Sequence, residues 1–211
     1  MKSKYLKIKQ LFGEFSSKYD EHMTVTKHLK AQKNLLKKFE RFIGNEICDL
    51  ASGTGNTTQL LGASSQRNFT LIDYQKKMLK ISKNKFFRYS NVNHIEEDVH
   101  NLNQIKLTYD TVVCCFGFYW FHSPEIVVNQ IKKILKKNGT VLIFEENFFD
   151  KDDTAPVFHE HGGFLEVLAS LENYLEINKI IALFKKKNLK LVYTERNSID
   201  NKHELVGLAF Q

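Results

Sequence analysis

From residue 46 onward, short apolar runs alternate with stretches of helical spacing. Residues 46–50, 68–73, 92–96, 109–116 and 140–145 read as strands, and 58–61, 75–84 and 124–135 as helices between them. The run 109–116 is almost wholly apolar, as a strand covered on both faces requires. Pro124 opens its helix where a missing N–H is harmless, and Asn138-Gly139 stops it. This alternation predicts a mostly parallel sheet with helices on both faces, a doubly wound α/β fold. Upstream, residues 27–42 set Leu29, Leu35, Leu36, Phe39 and Phe42 near helical spacing among lysines, with Gly44 as the stop. Downstream, residues 147–175 break the rhythm and 176–187 read as a further helix. Residues 189–195 and 204–210 then read as two strands joined by a short polar turn, an antiparallel C-terminal hairpin that brings the count to seven.

A chain of 211 residues, 42% hydrophobic, supports one core rather than two, and no Gly/Ser-rich linker divides it. No apolar run approaches the roughly 20 residues of a membrane span, and no secretory h-region opens the chain. Cys48, Cys114 and Cys115 fall in strands without metal-ligand spacing, so they read as reduced, buried thiols and the expected location is cytoplasmic. The net charge of +7 is an N-terminal property: residues 1–46 carry eleven Lys/Arg against five Asp/Glu, leaving +1 for the rest. Only four of the 31 basic residues are arginine, the side chain that phosphate and base readout favours. A nucleic-acid partner is therefore not expected.

The sharpest local signal is EICDLASGTGNTT. A strand runs into Asp49, Gly53-Thr54-Gly55 turn the chain, and a helix N-terminus follows. Glycines let the backbone approach a ligand, and the helix start offers free N–H groups. Twenty residues after Gly53, Asp73 ends the next strand, the place of a carboxylate that accepts from ribose hydroxyls. No Gly-Lys-Ser/Thr follows, which excludes a P-loop. The dinucleotide fingerprint wants a third glycine where Thr58 stands, and Asp49 beside the loop would repel a pyrophosphate by several kcal/mol at about 5 Å. A ligand bearing a sulfonium and an ammonium is favoured instead, namely S-adenosylmethionine rather than NAD.

DLASGTG resembles the glycine motif of class I S-adenosylmethionine-dependent methyltransferases, close to their ubiquinone/menaquinone-type relatives. LIDYQKKMLKISK is similar to the family's second-strand segment, EEDVHNL to its adenine-holding turn, and YDTVVCCFGFYWF with IKKILKKNGTVLIFEEN to its fourth strand, helix and fifth strand. FSSKYDEHM resembles the Tyr-Asp element ahead of the domain. The resemblance covers about residues 12–146 and implies a single methyltransferase domain over 1–211. Its parts are an N-terminal helical lid (1–45), a cofactor-binding core (46–146), a substrate or lid insertion with a helix (147–187) and a terminal hairpin (188–211). It implies donor contacts from Tyr19, Asp49, Ala51, Ser52, Gly53, Thr54, Gly55, Asp73, Tyr74, Met78, Asp98, Val99, Cys115, Phe116 and Gly117. The Asn/Asp-Pro-Pro-aromatic motif of amino-directed nucleic-acid methyltransferases is absent after strand four, where Cys115-Phe116-Gly117-Phe118 stands.

The aromatic segment 116–122 lies at a strand's C-terminal end, where ligands of open α/β sheets bind. Tyr119, Trp120 and His122 are candidate contacts for a small-molecule acceptor, as is His159. His159-Glu160-His161 lacks a third ligand in sequence, so no metal is expected. Of Glu145 and Glu146, strand alternation points one toward the pocket and the other away. No catalytic residue stands out, because methyl transfer chiefly requires alignment of nucleophile, methyl and sulfur. Residues 13–30 and 147–175, with Gly162-Gly163 as a hinge, are expected to close over the donor.

Overall fold

The computed structural model describes residues 2–63, 66–148, 176–201 and 203–211. Three N-terminal helices, α1 (Lys2–Phe15), α2 (Tyr19–Val25) and α3 (His28–Lys38), precede the sheet. Then come β1 (Glu46–Leu50), α4 (Asn56–Leu60), β2 (Asn68–Asp73), α5 (Lys76–Lys85), β3 (Val92–Glu96), β4 (Tyr109–Cys115), α6 (Pro124–Ile134) and β5 (Leu135–Phe148). The chain closes with α7 (Ile177–Lys186), β6 (Leu191–Ser198) and β7 (His203–Phe210). The seven strands lie in the order β3-β2-β1-β4-β5-β7-β6. β1 to β5 pair in parallel, whereas β7 runs antiparallel between β5 and β6. Among the described residues no helix is long and apolar enough to cross a membrane.

Alternation along the buried strands divides the core between two faces. In β4, Val112 and Cys114 join Val127, Ile131 and Ile134 of α6 and Ile180 and Phe184 of α7. Val113 and Cys115 face the opposite layer with Leu35 and Leu36 of α3. Phe184 stacks on Phe210 with ring centroids 4.3 Å apart, which ties α7 to the hairpin. All three cysteines are free and buried, as their strand positions required.

Several boundaries differ from the sequence reading. The helix expected over 27–42 is interrupted: α3 stops at Lys38 and a 3-10 turn, Glu40–Phe42, continues it, since Phe39 at the junction leaves helical geometry to bury its ring against Phe144. The short helix after the glycine loop starts at Asn56, not residue 58. β5 begins at Leu135 rather than at 140, because Leu135 pairs with Tyr109 before the register shifts to Thr111 and Thr140. The Asn138-Gly139 turn is thus carried inside the strand, with Asn138 at φ 66. β5 runs on to Phe148 through its antiparallel partner β7, three residues beyond the expected end.

Candidate active site

The strand order reverses between β1 and β4: the chain moves outward to β2 and β3, then crosses back. Open α/β sheets leave a crevice at that switch point, beyond the strands' C-terminal ends. A cavity lies there, walled by the segments that follow β1, β2, β3 and β4.

The loop after β1 is held in an uncommon backbone shape. Ala51, Gly53 and Gly55 all have positive φ, at 54°, 54° and 81°, and Phe116 across the cavity adopts 55°. A left-handed conformation is unfavourable for residues with a side chain, so surrounding bonds must impose it. Asp49 supplies one restraint, accepting from Thr58 N–H at 3.2 Å and Thr58 Oγ1 at 2.7 Å. Asp73 supplies the other, accepting from Gly53 N–H at 2.8 Å and Gln75 N–H at 2.7 Å. Burial pushes the Asp49 carboxyl up to about 7 and that of Asp73 to about 6, against the opposing pull of these hydrogen bonds.

The N-terminal helices are tied to the same loop. Asp20 of α2 accepts from Thr54 Oγ1 at 2.5 Å and Asn56 Nδ2 at 2.9 Å, and pairs with Lys85 Nζ at 3.0 Å. Gln32 of α3 donates to Thr57 Oγ1 at 2.9 Å, and Gln75 donates to the Lys9 carbonyl of α1. Ile8, Phe12, Tyr19 and Met23 thereby form the cavity's outer wall.

Most expected donor contacts converge on this cavity. Tyr19, Ala51, Ser52, Gly53, Asp73 and Tyr74 line it, as do Met78, Val99, Cys115, Phe116, Gly117 and Trp120. Asp49, Thr54 and Gly55 stand behind the wall and shape the loop, so the carboxylate expected to attract a cationic donor instead secures the start of α4. Asp98 is turned toward His100, whose N–H and Nδ1 lie 2.9 and 2.7 Å from its Oδ1, and His100 lines the cavity in its place. His122 is also outside the wall, stacked on His100 at 3.8 Å. Residues 149–175, with His159, His161, Gly162 and Gly163, lie outside the described residues. Gln32 and Gln75 were missed, since an uncharged polar residue in a helical stretch carries no sequence mark of facing a ligand. Ile8 and Phe12 had a signal, an i,i+4 apolar pair in a lysine-rich segment.

A second, aromatic pocket adjoins the first and shares Phe12, Tyr19, Met23, Phe116 and Trp120 with it. Tyr119 lines this one, together with Phe15, His22, His28 and Glu146. Glu146 bonds His28 Nε2, while Glu145, its neighbour on the other strand face, accepts from the N–H groups of Gly117 and Phe118. Burial pulls His28 down, but the Glu146 carboxylate more than offsets it and the net shift is upward.

The buried carboxyls of Asp49 and Asp73, which carry large shifts, set the sign of the pH dependence. They outweigh the smaller opposite contributions of His94 and His122, both held below the ordinary histidine value by burial. Asp49, Asp73 and His28 are all raised above their unfolded values, so the stability they contribute is present at low pH and lost as pH rises through their folded values. The thermal midpoint of the ligand-free chain is therefore expected to fall between pH 5 and pH 8. Scanning calorimetry across that range checks it; a midpoint that climbs would mean the carboxyls are hydrated rather than buried.

Residues 48–143 match the family described as a methyltransferase domain. Demethylmenaquinone methyltransferase of Thermotoga maritima is 27% identical over 140 residues, 64% of this chain and 60% of that protein. The ubiquinone/menaquinone biosynthesis C-methyltransferase of Wigglesworthia glossinidia brevipalpis is 31% identical over 147 residues, 65% of this chain and 58% of that one. The chain thus spans less than two thirds of the length of these relatives. Magnesium protoporphyrin IX methyltransferase from Synechocystis PCC 6803, solved with S-adenosylmethionine bound, superposes with a TM-score of 0.60 at 14% identity, covering 88% of this chain and 79% of that one, a likeness of fold. With its glycine loop, switch-point cavity and antiparallel last strand, the chain has the fold of the class I S-adenosylmethionine-dependent methyltransferases, and its residues 48–143 are similar to the methyltransferase domain family.

Proposed function

We propose that this chain transfers the methyl group of S-adenosylmethionine to a small, planar, largely apolar acceptor. The observation that carries the reading is the pair of adjoining cavities, one edged by the glycine loop and Asp73, the other aromatic, with a common wall at Phe12, Tyr19, Met23, Phe116 and Trp120. The Asp73 carboxylate has lone pairs to accept from ribose hydroxyls, and Met78 and Val99 offer apolar contact to an adenine. The sulfonium then lies toward the shared wall, where aromatic faces attract a cation.

Methyl transfer is an in-line displacement, so holding donor and acceptor on either side of one wall supplies the alignment the reaction needs. The names of the two curated relatives point to a quinone-type ring as acceptor, and an aromatic pocket suits such a ring by stacking. Purified chain supplied with methyl-labelled donor is expected to label a component of a metabolite extract, with RNA and protein fractions unlabelled. Label confined to RNA or protein would replace the small-molecule reading, and no label in any fraction, with donor still bound, would make the chain a silent donor-binding subunit.

A further inference from the structure

Three side chains with ligating atoms meet where α3, β5 and β7 come together. His28 opens α3, Glu146 lies near the end of β5, and His203 begins β7. Glu146 faces Leu205 and Phe148 faces His203 in the antiparallel ladder, so Glu146 and His203 are diagonal neighbours on one sheet face. All three are buried, and their ligating atoms lie within 4.8 Å of one another. His28 Nε2 contacts Glu146 Oε1 directly, and His203 Nε2 is 3.7 Å from the same oxygen.

Each imidazole has an oxygen close to its Nδ1. Thr26 Oγ1 donates to the His22 carbonyl at 2.6 Å, so its proton is already committed. It must then accept from His28 Nδ1, which lies 2.7 Å away and 3.1 Å from the Thr26 carbonyl. This assigns the Nδ1 proton and turns Nε2 toward Glu146. His203 Nδ1 lies 2.8 Å from Asp200 Oδ1 as a charge contact, and the same oxygen accepts a hydrogen bond from the His203 backbone N–H at 3.0 Å. Two ring nitrogens and a carboxylate oxygen thus lie within 4.8 Å of one another, a spacing that one cation can bridge. A hydrogen bond joins His28 to Glu146, whereas the separation of His203 Nε2 from Glu146, 3.7 Å, is too long for one. It is within a few tenths of an ångström of the roughly 3.3 Å separating neighbouring ligands around a tetrahedral ion with bonds of about 2.0–2.1 Å.

We propose that His28, Glu146 and His203 bind one divalent transition-metal ion of the zinc type, with Thr26 and Asp200 orienting the two rings. No sequence motif marks the site: 118 residues separate His28 from Glu146, and the metal-like His159-Glu160-His161 lies elsewhere in the chain. Two imidazoles and one carboxylate leave a coordination position open. Two of the three ligands, His28 and Glu146, line the aromatic pocket, where Tyr119 Oη is 3.4 Å from Glu146 Oε2. An oxygen bound at the open position becomes more acidic, which serves an acceptor whose nucleophile is a hydroxyl. That use of the metal rests on the methyl-transfer reading; the metal site itself does not.

Metal-stripped full-length chain titrated with Co²⁺ and read by its visible absorption tests the site without any methyl donor. One equivalent per chain is expected, with the intense bands of a four- or five-coordinate nitrogen-oxygen site and displacement by Zn²⁺. Glu146→Gln and His203→Ala should each weaken binding by about 100-fold, and Asp200→Ala by about tenfold. His159→Ala/His161→Ala should leave the stoichiometry at one. Circular dichroism separates lost ligation from lost folding; should both ligand variants unfold, the partly exposed Asp200 carries the test. Less than a tenth of an equivalent on the wild type, unaltered affinity in the Asp200 and ligand variants, or loss of binding in the His159/His161 variant would each overturn the assignment. Failure here leaves methyl transfer standing, and failed methyl transfer leaves the Co²⁺ spectrum unaffected.

Discussion

Asp73→Ala is expected to weaken adenosylhomocysteine binding by about 1.5–3 kcal/mol, roughly 10- to 150-fold, while moving the stability of the ligand-free chain little at pH 8. The two effects separate because Asp73 has two opposed consequences. Its carboxylate accepts from Gly53 N–H and Gln75 N–H, and removing it strips both donors of their partner. That costs about 1–3 kcal/mol per buried donor, toward the lower end beside an open cavity that admits water. On the other side, a carboxyl pushed from 3.8 to about 6 by burial destabilises the ionised fold by about 3 kcal/mol above that pH, and the substitution relieves this. The contributions nearly cancel. The ligand has no such compensation: hydroxyls that donate to a carboxylate find nothing in its place. Affinity in the wild type should also decline as pH falls below about 6, where Asp73 takes up a proton. Isothermal calorimetry at pH 8, with urea unfolding alongside, reads both quantities. Unchanged affinity would remove Asp73 from the ribose position, and a collapse in stability without a binding defect would make it purely a loop restraint.

The architecture was legible because its signals are local. Short apolar runs with helices between them specify strands and crossovers, and the turn between 198 and 203 is short enough to force a hairpin. The loop that edges the cavity was legible for the same reason, since Ala51 to Gly55 and Asp73 sit at strand ends whose order the alternation fixes. What the sequence concealed depends on side-chain direction. Asp49 is one residue before the end of β1, and only the fold shows its carboxylate turned back to Thr58. Asp98 and His100 are two residues apart, and which of them lines the cavity is decided by the bond between them. The cluster of His28, Glu146 and His203 was hidden more deeply, because it arises where a helix outside the repeating pattern crosses two strands paired late in the chain. Long-range juxtaposition of that kind leaves no periodic trace.

Two glycines of the same loop should respond to alanine in different ways. Gly55 has φ +81, and a Cβ there would stand 2.5 Å from Phe86 Cε2, 2.8 Å from Ser82 Oγ and 3.1 Å from Leu71 Cδ2. Phe86 is buried against the sheet and Ser82 Oγ is bonded to His94 Nε2 at 2.9 Å, so neither can retreat without loss. The left-handed backbone costs about 1–2 kcal/mol with a side chain, and forced overpacking adds about 1–3 kcal/mol. Gly55→Ala is therefore expected to lower stability by about 2–5 kcal/mol, a large share of the 5–15 kcal/mol typical of a domain. Gly53 has φ +54 but open space around its would-be Cβ, with nothing within 4 Å. Only the backbone penalty of about 1–2 kcal/mol remains there. Yet Gly53 lines the cavity, and under the proposed donor placement the open space beside it is taken up by the ligand. Gly53→Ala should thus fold, then bind adenosylhomocysteine about 5- to 150-fold more weakly, the equivalent of placing a methyl group in a packed contact. Urea unfolding ranks the two variants by stability, and calorimetry on the folded Gly53→Ala chain measures the binding loss. A stable Gly55→Ala chain would mean that Phe86 and α5 yield more readily than their burial implies. Full affinity in Gly53→Ala would move the donor away from the glycine loop, and with it the proposed orientation of the sulfonium toward the aromatic wall.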